Sequence, residues 1–70
     1  MMPLTLADVG VENTILRISG NPEVKRHLED MGFVPGADIE LITVFNGNVI
    51  VKIKDSRVAI SEEMARKIMI

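Results

Sequence analysis

Seventy residues with no stretch of linker composition point to one domain, and the absence of cysteine removes both a disulfide scaffold and a thiolate metal site. The net charge of −2 neither draws the chain to nucleic acid nor forbids a local basic face. Two phenylalanines, with no tyrosine or tryptophan, exclude the aromatic groove that binds polyproline.

The opening Met1-Met2-Pro3-Leu4-Thr5 lacks the basic-then-apolar order of a secretion signal. The longest aliphatic run, Val49-Ile50-Val51, is far short of the ~20 residues of a membrane-spanning helix. A cytoplasmic protein without membrane insertion is the expectation. Met2 to Leu6 reads as an extended edge segment with Leu4 and Leu6 on one side, because Pro3 suits an edge. Ala7 to Asn13 is a loop that turns at Gly10. Thr14-Ile15-Leu16-Arg17-Ile18 reads as one half-buried strand, with Leu16 and Ile18 on one face and Ile15 and Arg17 on the other.

Asn21-Pro22-Glu23 is a helix start: an N-cap, a proline where its missing N–H is no loss, and a carboxylate near the positive end of the dipole. A three-turn helix over about 21–31 follows, with Val24, Leu28 and Met31 as its apolar stripe. Gly32 closes it, and Pro35-Gly36 reads as a β-turn that sends the chain back extended. These three residues make a helix-to-strand corner on which the rest of the chain is arranged.

Ile39–Phe45 and Val49–Lys54 are strands joined at Asn46-Gly47-Asn48. A two-residue loop places Lys52 and Lys54 on the face of Ile39 and Leu41. A three-residue loop pairs Phe45 with Val49, gathers Ile39, Leu41, Phe45, Val49, Val51 and Ile53 on one face, and sets Glu40 opposite Lys54; it is the register expected. After a turn at Asp55-Ser56 come a strand Arg57–Ile60, a short helix over about 61–67 capped by Ser61, and a last strand Ile68–Ile70. The architecture expected is mainly β: five to six short antiparallel strands curled into a small barrel that buries one face and removes the edges.

At this point the residues resemble a family. Leu28-x-x-Met31-Gly32-Phe33-x-Pro35-Gly36-x-x-Ile39, then Val49-x-Val51-x-Ile53, Val58-Ala59-Ile60 and Ala65-x-x-Ile68-x-Ile70, are similar to the FeoA family, and the likeness runs from Leu4 to Ile70. The resemblance implies an SH3-like β-barrel. It also implies a cytoplasmic accessory of bacterial ferrous iron transport that binds a membrane transporter bearing a GTPase domain. Similar domains form the C-terminal module of metal-dependent repressors, but this chain has no helix-turn-helix before its barrel, so that role is not expected of it alone.

No catalytic set stands out. His27 is the only histidine, and no motif places it with Ser19, Ser56 or Ser61, so the protein is not expected to be an enzyme. For a metal, Glu23, His27 and Asp30 offer one nitrogen and two carboxylates from one helix, suited to weak Fe²⁺ or Zn²⁺ binding. The plainer reading is an exposed helical histidine beside carboxylates, next to the bases Lys25 and Arg26. A transition-metal sensor or carrier is accordingly the alternative function. Lys52, Lys54 and Arg57 form a basic strip with no aromatic rings for stacking, so nucleic acid is not expected as a partner, and an RNA-binding barrel of the KOW type ranks last.

The positive expectation is a protein-contact surface. In the chosen register Ile42, Val44 and Ile50 fall outward among Glu40, Lys52 and Lys54, an apolar group rimmed by charge. Leu28 and Met31 extend it beside the corner. The plainer reading is that other parts of the barrel cover these residues. Self-association into a homo-oligomer is left open.

Overall fold

The β-branched stretch after Asn13 is two strands, not one. In the computed structural model, which describes residues 1–70, β1 (Glu12–Thr14) and β2 (Arg17–Ile18) are separated by a corner at Ile15-Leu16. Ile15 and Ile18 are both buried while Leu16 is 53% exposed. A continuous strand alternates faces with period two and cannot bury residues three apart. The corner is held by backbone bonds to two different elements. Ile15 N–H donates to Ala37 at 2.9 Å and Gly36 N–H to Ile15 at 2.8 Å, whereas Leu16 N–H donates to Met69 at 2.7 Å. The chain thus leaves one sheet and enters the other within two residues.

The remaining elements are α1 (Pro22–Asp30), β3 (Asp38–Phe45), β4 (Asn48–Ile53), β5 (Ser56–Ser61), α2 (Glu62–Ala65) and β6 (Ile68–Met69). β1-β3-β4-β5 form a four-stranded antiparallel sheet and β2-β6 a two-stranded one. Met2 and Ile70 exchange backbone bonds of 2.9 and 2.8 Å, which adds the N-terminus to the edge of β6. The segment then departs from the extended form expected. Leu4–Leu6 is a 3₁₀ turn, so Leu4 enters the core while Leu6 is 66% exposed, instead of both lying on one side.

Fourteen apolar residues make one core, with no buried polar side chain among them. α1 contributes Leu28, fully buried, and α2 contributes Ala65. Both helices are capped as their sequences require: the Asn21 side chain accepts from Val24 N–H at 2.9 Å, and Ser61 Oγ accepts from Met64 N–H at 3.1 Å. α2 is a single turn, shorter than the 61–67 span expected, with an exposed Glu62–Arg66 ion pair of 2.9 Å along it.

The corner after α1 follows the Schellman pattern. Phe33 N–H donates to Leu28 at 3.0 Å and Gly32 N–H to Glu29 at 2.9 Å, with Gly32 at φ +100°. Ala37 N–H then donates to Val34 at 3.1 Å across Pro35-Gly36, and Gly36 at φ +92° gives the positive angle of a type II turn.

The hairpin corrects the expected register. Phe45 pairs with Asn48, not Val49, across a two-residue Asn46-Gly47 turn with φ of +49° and +77°, as in type I′. The conflict with burial is resolved by a β-bulge between Leu41 and Thr43, which shifts the ladder by one residue so that Leu41 meets Val51 and Ile39 meets Ile53. Two consequences follow: Glu40 lies opposite Lys52 rather than Lys54, and Phe45 is 67% exposed instead of in the core.

Candidate docking surface

The outward face of the large sheet is built by alternation against the core. Ile39 and Leu41 of β3, and Val49, Val51 and Ile53 of β4, point inward and are buried, so Glu40, Ile50 and Lys52 point out. Ile50 stands opposite Thr43 on one side and Ala59 on the other. The bulge puts Ile42 beside Thr43 on this same face, where Ile42 and Ile50 are both half-buried. Phe45 follows one alternation later and is exposed. The end of the face near the hairpin is therefore apolar.

The other end is charged. Glu12, Glu40, Lys52 and Arg57 are successive cross-strand partners in one row through β1, β3, β4 and β5. Asp38 accepts a 3.4 Å hydrogen bond from Thr14 Oγ1 beside the row. An open concavity of about 330 Å³ lies here, with Glu12, Asp38, Glu40, Lys52, Lys54 and Asp55 on its wall.

The structure redistributes the contact residues expected from sequence. Leu28 is fully buried and cannot touch a partner, because the Schellman bond folds that turn of α1 onto the core. Met31 is half-buried at the helix end and packs against the core. Val44 is 52% exposed, but it pairs with the inward-facing Val49, so it lies on the opposite side of the strand from Ile50. The bulge, absent from the expected register, reversed that residue. Phe45 was missed for the same reason; the Asn46-Gly47 pair, the usual signature of a two-residue hairpin, was the signal that could have exposed it. Val9 and Val11 were also missed; both are exposed and flank Gly10, whose N–H donates to Leu41 at 2.9 Å.

The metal candidates are not brought together. Glu23 and His27 line a groove of about 610 Å³ between α1 and α2, which Glu63 and Lys67 also line, while Asp30 does not. Glu23 and Asp30 are seven residues apart, a rise of about 10 Å along the helix, too far to share an ion through one histidine between them. No three His, Asp or Glu side chains converge closely enough to hold a metal ion. No helix is long and apolar enough to cross a membrane.

Comparison with known proteins agrees with this fold. The FeoA domain family model matches residues 2–70. A candidate Fe(2+) transport protein A from Methanocaldococcus jannaschii is 34% identical over 70 residues, all of this chain and 85% of that protein. A crystal structure described as the iron uptake regulatory protein FeoA is 27% identical, with a TM-score of 0.86 over 96% of this chain and 89% of the other. FeoA from Stenotrophomonas maltophilia, complexed with zinc and described as an SH3 domain protein, has a TM-score of 0.83 over 99% of this chain and 88% of its own; at 17% identity it speaks for the SH3-like fold alone. With the match running through the Met31-Gly32-Phe33-x-Pro35-Gly36 corner and the whole barrel, the chain belongs to the FeoA domain family of ferrous iron transport accessory proteins.

Proposed function

We propose that the protein is a non-catalytic, cytoplasmic accessory that docks on the cytoplasmic, GTPase-containing part of a membrane ferrous iron transporter. The observation that carries the reading is the outward face of the β3-β4 hairpin, where Phe45, Ile42 and Ile50 stand exposed or half-exposed above a row of charges. An apolar patch bordered by charge is the common anatomy of a protein-binding surface. Family membership supplies the iron-transport context.

Titration of the transporter's cytoplasmic domain with wild type, Ile50→Glu, Phe45→Glu and Val44→Glu tests it. The first two variants are expected to bind at least ~10-fold more weakly, equivalent to about 1.4 kcal/mol. Val44→Glu, on the other side of the strand, is expected to bind like wild type. Equal affinity for all four proteins removes this surface.

A second reading, a transition-metal sensor or carrier, draws on His27 and Glu23, one helical turn apart on the wall of one groove. It requires Fe²⁺ or Zn²⁺ uptake by calorimetry that His27→Ala abolishes, and no heat of binding disposes of it.

A further inference from the structure

The charged row on the outward face is segregated by sign. Reading across the sheet, the partners are Glu12, Glu40, Lys52 and Arg57: two acids on β1 and β3, then two bases on β4 and β5. Like charges thus stand directly opposite each other at Glu12/Glu40 and at Lys52/Arg57, an arrangement that destabilises an isolated sheet. None of the four is in an ion pair; the structure's ion pair joins Arg66 and Glu62. Asp38 on the β3 side and Lys54 at the β4 end follow the same division, while Asp55, in the turn between β4 and β5, is an acid on the basic side.

A row of this order is complementary to itself after a half-turn. With adjacent strands about 4.8 Å apart, the four positions span about 14 Å. A two-fold axis running along the strands, between β3 and β4, lays one row over another in reverse. Glu40 then meets the partner's Lys52, and Glu12 meets the partner's Arg57, each contact occurring twice by symmetry. The same axis sets Ile42 against the partner's Ile50 in the apolar half of the face. We infer that the outward face of the four-stranded sheet is a homodimer interface, in which a second copy of this chain is held by reciprocal acid–base pairs at one end of the face and by Ile42–Ile50 contacts at the other.

The dimer covers the face proposed for transporter docking, so the two associations exclude each other. It does not depend on that proposal. Four short strands offer less than the ~800 Å² per partner of a standard interface, so the association is weak. It is also sensitive to salt, because exposed charges are screened within about 10 Å at 0.1 M and 3 Å at 1 M ionic strength.

Sedimentation equilibrium on the full chain provides the test. Wild type is expected to dimerise at low salt as concentration rises, and to lose that tendency at about 1 M salt, where screening is nearly complete. Glu40→Lys alone and Lys52→Glu alone are each expected to be monomeric, since each places like charges across the axis. An equimolar mixture of the two is expected to associate again, because the two introduced charges, opposite in sign, then face each other while the unaltered Lys52 of one chain meets the unaltered Glu40 of the other. Circular dichroism establishes that each variant is folded, and the pair Glu12→Lys with Arg57→Glu repeats the experiment at the ends of the row. A wild type that stays monomeric at low salt up to about 1 mM overturns the inference, as do single variants that dimerise like wild type or a mixture that stays monomeric. Loss of transporter binding with this pattern intact defeats only the docking proposal.

Discussion

The backbone N–H of Phe33 donates to the carbonyl of Leu28 at 3.0 Å, and the side chains of both residues are fully buried. One bond that ends a helix therefore also places the largest core side chain. Deleting three carbons at Leu28 removes burial and leaves a cavity, at a cost of about 2–5 kcal/mol. A domain of this size has roughly 3.5–10 kcal/mol in total. Leu28→Ala is expected to lower the urea midpoint drastically or to prevent folding, whereas Ile50→Glu on the outer face changes it little. A loss below ~1 kcal/mol at Leu28 contradicts the packing described.

Gly32 and Gly36 hold φ of +100° and +92°, and a methyl group built on either meets nothing within 4 Å. The objection to a side chain is thus backbone strain alone, about 1–2 kcal/mol for an L-residue. Gly36→Ala is expected to lower the melting temperature by about 4–16 °C, at roughly 4–8 °C per kcal/mol in a domain this small. Chemical synthesis with D-alanine at the same position, for which positive φ is natural, is expected to restore or raise it. Equal losses with both enantiomers place the cost elsewhere.

Lys54 also has a positive φ, +54°, without being glycine or asparagine. It opens the two-residue turn between Ile53 and Ser56, a place where glycine is free of strain. Relief of about 1–2 kcal/mol of strain, offset by the roughly 0.5–1 kcal/mol entropy cost of glycine, predicts that Lys54→Gly stabilises by about 0.5 kcal/mol. Thermal unfolding measures this directly, and a destabilised variant shows that the lysine side chain holds the turn.

The two N-caps are separate tests of the helices. Asn21→Ala and Ser61→Ala each leave a first-turn N–H without its side-chain acceptor and are expected to cost about 1 kcal/mol each. Asn21→Asp, which keeps an acceptor and adds charge at the positive end of the helix dipole, is expected to be neutral or better. Urea titration followed by far-ultraviolet circular dichroism separates these outcomes.

Local chemistry was legible from the chain by itself. The Asn21-Pro22 start, the Gly32 stop, the Pro35-Gly36 turn and the Ser61 cap depend on φ preferences and on hydrogen bonds within a few residues, and the structure places each where those preferences put it. The mainly β barrel followed from the count of short strands. What tertiary structure decided were the breaks in regularity: the corner at Ile15-Leu16, the 3₁₀ turn at Leu4–Leu6 and the bulge beside Ile42. Each lets a chain with imperfect alternation bury its aliphatic residues in one core shared by the two sheets, and none is announced by the residues at the break itself, because its reward is a contact with a distant strand. The docking surface inherits that dependence. Whether Val44 or Phe45 shares a face with Ile50 turns on one extra residue in β3, and a single-residue shift in a period-two ladder reverses every side chain beyond it.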